Sequence, residues 1–206
     1  VLAAAMVSAA LVLSLAFTSP LFVLVLAVYY VTTFAYSLWL KRKLTVDVLT
    51  LATLYTLRII GGAAAVAVPL SPWMLGFSIF IFLALAAVKR QAELMDLLKS
   101  GKSQPAGRAY ETDDLPVLRS MAMSAGYAAV LVFALYVESD ATAELYSQPL
   151  VLWLVCPLLL YWISRIVMVT HRGLMTDDPI VYAARDRVSQ ITVLLGAAIF
   201  IAAGLA

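Results

Sequence analysis

The stretch "SPWMLGFSIFIFLALAAVKRQAELMDLLKSGKSQ", residues 71–104, decides the class of fold. From Pro72 to Val88 it carries no charge, and from Lys89 onward a charge recurs every few residues. A helix needs roughly 20 apolar residues to cross the hydrocarbon of a bilayer. The run does not alternate with period two, and lipid offers free backbone groups no partners, so it reads as a membrane helix. The charges then mark its emergence into water.

Six more runs of this kind lie outward from it: 1–17, 21–40, 46–67, 116–137, 149–169 and 188–205, with the span of the quoted stretch at 71–88. The composition agrees. Of 206 residues, 64% are hydrophobic and 13% charged, about half the charge of an ordinary soluble domain. The expected fold is all-α, a multi-pass transmembrane helical bundle. A net charge of +2 gives no reason to invoke nucleic acid. Cys156 and His171 are single, so neither an internal disulfide nor a Cys/His metal site can form. The chain opens at Val1 with its first span already under way, which reads as a segment of a longer protein and not as a signal peptide.

The charges orient the bundle. Loops 41–45, 89–115 and 170–187 fall on one side, and loops 18–20, 68–70 and 138–148 on the other. Every Lys and Arg except Arg58 lies at the first side, whereas the second holds only Glu138, Asp140 and Glu144. Basic residues collect on the cytoplasmic side of membrane proteins, so the first side is expected there. Arg58 sits about twelve residues into its span, roughly 18 Å deep at 1.5 Å per residue. A charge at that depth costs at least ~2.5 kcal/mol and calls for a polar cavity or an acidic partner. Asp47, three turns earlier on the same face, lies at the rim.

Lys89, Glu93 and Asp96 stand at i, i+4 and i+7, on one face of a continuing helix, with Arg90 beside them. Two carboxylates can hold one Mg²⁺ that also binds substrate phosphates, and Lys and Arg can take the remaining phosphate oxygens. The same spacing also suits an ordinary Lys89–Glu93 surface pair. A second charged stretch is "HRGLMTDDPIVYAARDRVSQ", 171–190. Gly173 ends a helix there, Asp177-Asp178-Pro179 starts another, and Tyr182 to Arg187 continues it. Asp186 and Arg187 suit either a capped helix or a ligand role. In 109–120, Asp113 or Asp114 caps the following span. Residues 100–108 read as a loop. No phosphate-binding Gly loop, nucleophile set or internal repeat is present.

Three stretches together, "SLWLKRKLTVDVLTLATLYTLRIIGGAAA" (37–65), "LALAAVKRQAEL" (83–94) and "MTDDPIVYAARDRVSQ" (175–190), resemble the UbiA superfamily of intramembrane prenyltransferases. Within it they are most similar to the bacterial branch that includes decaprenyl-phosphate phosphoribosyltransferase. The likeness runs along nearly the whole chain. It implies a nine-helix fold around a cavity open to the cytoplasm, of which seven helices are found here, in one transferase domain covering 1–206. The family's first acidic motif, Asn-Asp-x-x-Asp-x-x-x-Asp, is absent, and a start at the third helix accounts for it. A seven-helix relative without activity is the other explanation. The second motif, usually Asp-x-x-x-Asp, is matched in place by Lys89, Arg90, Glu93 and Asp96, though not in letters.

The resemblance further implies a transferase of the bacterial inner membrane, active on its cytoplasmic face, using Mg²⁺ with diphosphate as leaving group. Its substrates would be a polyprenyl lipid and a diphosphate-containing donor, here phosphoribosyl diphosphate with a polyprenyl phosphate as acceptor. Glu93 and Asp96 are the expected catalytic metal ligands. Lys89, Arg90, Arg58, Asp47, Asp186 and Arg187 are the expected substrate-binding residues. Given this segment by itself, no activity is expected. An aromatic prenyltransferase of the 4-hydroxybenzoate type, and a transporter or lipid-binding membrane protein without chemistry, are the rival readings.

Overall fold

A computed structural model describes residues 19–101, 107–175 and 178–204. The expected first span, 1–17, most of the 100–108 loop and Asp177 lie outside these. Among the described residues the secondary structure is helical throughout: α1 (Pro20–Leu38), α2 (Val46–Ala65), α3 (Pro72–Lys99), α4 (Leu115–Val137), α5 (Asp140–Leu145), α6 (Val155–His171), α7 (Pro179–Arg185) and α8 (Arg187–Gly204). Six helical segments are long and apolar enough to cross a membrane. They correspond to the second through seventh expected spans. The chain is an all-α multi-pass membrane bundle.

α3 is its central element. At 28 residues it is about 42 Å long, some 12 Å more than the ~30 Å hydrocarbon layer. The excess is the charged extension, so Arg90 and Glu93 stand at the end of the bundle on a rigid rod. α2 and α4 make its most extensive contacts, and α6 and α7 also pack on it. Gly126 of α4 lets α6 approach closely, because a Cβ there would sit 2.5 Å from Ile163 Cγ2.

Local chemistry sets the helix ends. Ser19 caps α1, accepting from the Phe22 N–H at 3.2 Å, with Pro20 at the first helical position. The span 149–171 starts as a 3₁₀ turn, Pro149–Leu154, before α6 begins. Pro157 has no N–H to donate to Trp153, so an α ladder cannot run unbroken through that point. At the other end Gly173 adopts φ +64°, and the Leu174 N–H closes on Val169 O at 3.1 Å.

Two sequence expectations change. The helix read as running from Tyr182 through Arg187 breaks at Asp186, which is extended (φ −77°, ψ 120°). Its carboxylate accepts from the Ser189 N–H and from Ser189 Oγ, both at 2.8 Å, and so starts α8. Asp114 occupies the position before α4 but makes no cap to it. Its carboxylate instead accepts from the Glu111 N–H at 2.9 Å, closing the short 3₁₀ turn Thr112–Asp114.

Candidate functional site

Asp47 lies in the first turn of α2, where a carboxylate complements the helix dipole. The chain enters that turn through a strained backbone. Thr45 has φ +63° and ψ −41°, and the Val46 N–H reaches back to Leu44 O at 2.6 Å, the geometry of a γ-turn of the rarer hand. The Tyr110 hydroxyl oxygen accepts from the Thr45 N–H at 3.0 Å, and Tyr110 is buried. Burial raises the Tyr110 phenol pKa, against the lowering effect of the bond to Thr45, so its hydroxyl stays protonated at neutral pH. A strained turn held by a buried tyrosine thus aims Asp47 into the bundle.

There Asp47 meets Arg90. Both are almost wholly buried, at 0% and 1% exposure. Arg90 Nε lies 2.5 Å from Asp47 Oδ2, in a contact too bent to be a hydrogen bond. Nη2 donates to Tyr36 Oη at 2.9 Å, and Nη1 donates to Glu93 one turn further along α3. Tyr36 of α1 donates in turn to Asp47 Oδ1 at 2.8 Å. Arg108, from the connection between α3 and α4, closes the group. It lies 3.3 Å from Asp47 Oδ1 through Nη1 and 3.3 Å from Glu93 Oε2 through Nε. Two carboxylates and two guanidiniums, drawn from α2, α3 and a loop, therefore form one network with Tyr36.

The other residues singled out in the sequence fall around this network. Lys89 pairs with Asp178 at 2.6 Å, not with Glu93. Asp96 is exposed and, among the described residues, makes no ion pair. Asp186 pairs with Arg165 of α6 at 2.7 Å. Burial pushes the Asp186 carboxyl up, but the bonds from Arg165 and Ser189 outweigh it and hold the group below the usual carboxylate range. Arg187 is exposed. Arg58 is far from the network along α2. It donates to Tyr29 Oη at 2.9 Å and lies over the rings of Tyr29 and Tyr55 at 5.6 and 5.1 Å. Among the described residues no carboxylate meets it; aromatic faces partly offset its charge instead. Arg108 and Tyr36 were missed in the sequence. Tyr36, eleven residues before Asp47, carried no signal of its own, and Arg108 lay in a loop without periodicity.

Between α2 and α3 lies an apolar groove of about 190 Å³, lined among others by Leu49, Ala52, Thr56, Ile60 and Leu83. It runs along α2 for about 16 Å at 1.5 Å per residue. No residue of the network lines it, and on α2 its lining residues lie on the face turned away from Asp47. As to a metal, no group of three or more Asp, Glu, His or Cys converges among the described residues. Asp47 and Glu93 share both guanidiniums, and two carboxylates are what Mg²⁺ ordinarily takes when phosphates complete its shell. Both carboxylates are already paired with guanidiniums, so a metal here would need phosphate to complete its shell and to take up those cations.

No protein-family model matches the chain. It is 36% identical to nodulation protein NoeC of Azorhizobium caulinodans over 75% of the chain and 50% of that protein. It is 35% identical to the uncharacterized protein y4nM of Sinorhizobium fredii over 88% of the chain and 36% of that protein. Against decaprenyl-phosphate phosphoribosyltransferase of Mycobacterium tuberculosis the identity is 29%, over 85% of the chain and 56% of the enzyme. The chain spans about half the length, or less, of these relatives.

Proposed function

We propose that the chain is part of a UbiA-type membrane transferase that moves a group from a diphosphate donor to a polyprenyl acceptor. The most specific form of this reading is transfer of phosphoribosyl from phosphoribosyl diphosphate to a polyprenyl phosphate. The observation that carries it is the Asp47–Arg90–Glu93–Arg108 network at the basic end of the bundle, with an apolar groove between the same two helices, α2 and α3. Similarity to a mycobacterial enzyme named for that reaction supports the choice of substrates.

In this reading Asp47 and Glu93 hold Mg²⁺, and Asp96, one turn beyond on α3, is open to join them through solvent. Mg²⁺, when bound, neutralises charge developing on the departing diphosphate. Arg90 is fixed by burial and by three partners, so it holds Asp47 and Glu93 in place and limits reorganisation of the site during the reaction. Lys89 anchors the turn before α7 through Asp178 and borders the site. The groove between α2 and α3 takes the isoprenoid chain by apolar contact, at roughly 25 cal/mol per Å² buried. The proposed activity faces the cytoplasm, a reading supported by the network's position at the basic end.

The test is an assay of membranes carrying the complete protein, with phosphoribosyl diphosphate and a polyprenyl phosphate. Mg²⁺-dependent release of diphosphate is expected, falling at least 10²-fold in Glu93→Gln with expression unchanged. Near-normal turnover in that variant would sink the assignment. Turnover only with a prenyl diphosphate and an aromatic acceptor would move the protein to the aromatic branch.

A further inference from the structure

The network is electrically closed: two carboxylates face two guanidiniums. The two arginines are not held alike. Arg90 is rooted in α3, only 1% exposed, and its contacts include 2.5 Å to Asp47 and 2.9 Å to Tyr36. Arg108 comes from a connection next to Gly107, which has φ +74°. Its side chain is 22% exposed, and its contacts to Asp47, Glu93 and Tyr36 all lie between 3.3 and 3.5 Å. Charge-assisted hydrogen bonds ordinarily lie at about 2.7–2.9 Å. Arg108 therefore neutralises both carboxylates from long range, and letting go costs it least.

We propose that Arg108 is a charge-exchange residue. Without ligand its guanidinium covers the carboxylates of Asp47 and Glu93; when a metal–diphosphate arrives, it leaves them and binds phosphate oxygens. This rests on the reading of the network as a metal–diphosphate site. The physical reason is charge balance. A divalent cation entering alone must share the carboxylates with Arg108 and is repelled by it. A diphosphate brings negative charge that takes up the freed guanidinium, so each ligand favours the other's binding and the coupling is reciprocal. The arginine would thereby keep the site from filling with free metal in the absence of donor.

The experiment is Mn²⁺ binding to the complete purified protein, read by the electron paramagnetic resonance of free Mn²⁺, with and without inorganic diphosphate. Wild type is expected to bind Mn²⁺ weakly alone and more tightly with diphosphate. Arg108→Ala should bind Mn²⁺ alone about tenfold more tightly and diphosphate about tenfold more weakly, as loss of one charged hydrogen-bonding partner implies. Arg108→Lys keeps the charge, loses the fork, and should fall between, which guards against a folding defect in the alanine variant. Arg119→Ala, a cation removed elsewhere on the molecule, should change neither. Mn²⁺ affinity in Arg108→Ala equal to or below wild type overturns the exchange while leaving the metal site standing. If Asp47→Asn and Glu93→Gln leave Mn²⁺–diphosphate binding intact, the reading of the site falls and the exchange with it.

Discussion

Asp47 is held on every side. It is fully buried, its turn is strained, and its oxygens serve Arg90, Tyr36 and Arg108. Removing one partner of a buried ion pair strands the other. Asp47→Ala should therefore cost up to about 3–5 kcal/mol, because it leaves buried Arg90 with Glu93 as its one carboxylate partner, seen as a fall in the melting temperature of the detergent-solubilised protein. The double variant Asp47→Ala/Arg90→Met, which removes both charges, should recover much of that loss. Failure to recover would mean that Glu93 and Tyr36 are enough to satisfy Arg90 without Asp47. Tyr110→Phe keeps the ring and removes only the acceptor for the Thr45 N–H. It should cost ~1–3 kcal/mol and, at the proposed metal–diphosphate site, also weaken metal binding, because the turn that aims Asp47 loses its restraint. A stability loss with unchanged metal affinity would refute the positioning role.

At the scale of the element, α3 carries an inconsistency beside the network. Gln91 is fully buried, and among the described residues neither its amide nitrogen nor its amide oxygen has a hydrogen-bond partner. An unmet amide in an apolar setting costs ~1–3 kcal/mol. Gln91→Leu should thus raise thermal stability, and lower stability would show that the amide has a partner in the membrane-embedded protein. The α7–α8 break is the opposite case, a polar group with every oxygen used. Asp186 receives Arg165, Ser189 and, at 3.4 Å, the Tyr182 hydroxyl. Because its pKa is depressed on folding, its stabilisation is complete above the unfolded carboxylate value of about 4 and is lost as pH falls through the lower folded value. The stability gap between wild type and Asp186→Asn should be full at neutral pH and close below about pH 4. A gap independent of pH would assign the effect to packing.

At the scale of the whole molecule, orientation and core follow different rules. α1 shows its apolar residues outward, with Leu24, Val31 and Phe34 at 60%, 70% and 68% exposure and Val25 alone buried. In a bilayer such a helix is solvated by lipid, so substitutions among these apolar residues should be nearly neutral. The charge asymmetry predicts that a cysteine placed at Lys43 reacts with a membrane-impermeant maleimide only from the cytoplasm. One placed at Ser139 should react only from outside. The reverse pattern would overturn the orientation, and with it the face on which the network works.

Much of this was legible in the sequence, and the limit of legibility has a physical cause. Crossing a bilayer is a local requirement: each apolar run must satisfy its own backbone, so spans, their number over the described residues and the basic end could be read from composition alone. The same holds for the continuation of α3 past Val88 and for Lys89, Arg90 and Glu93 sharing its end. Ion pairing in a bundle is not local. The i, i+4 spacing of Lys89 and Glu93 suggested a partner, yet Lys89 turns to Asp178 and Glu93 to Arg90 and Arg108. Asp186 passed over its two neighbouring arginines for Arg165, 21 residues away. The sequence determined a helical membrane protein with its chemistry at one end. Only the packing of α1 on α2, and of α2 and α4 on α3, decided which carboxylates meet which cations, because a buried charge is stable only beside a partner that the tertiary fold delivers.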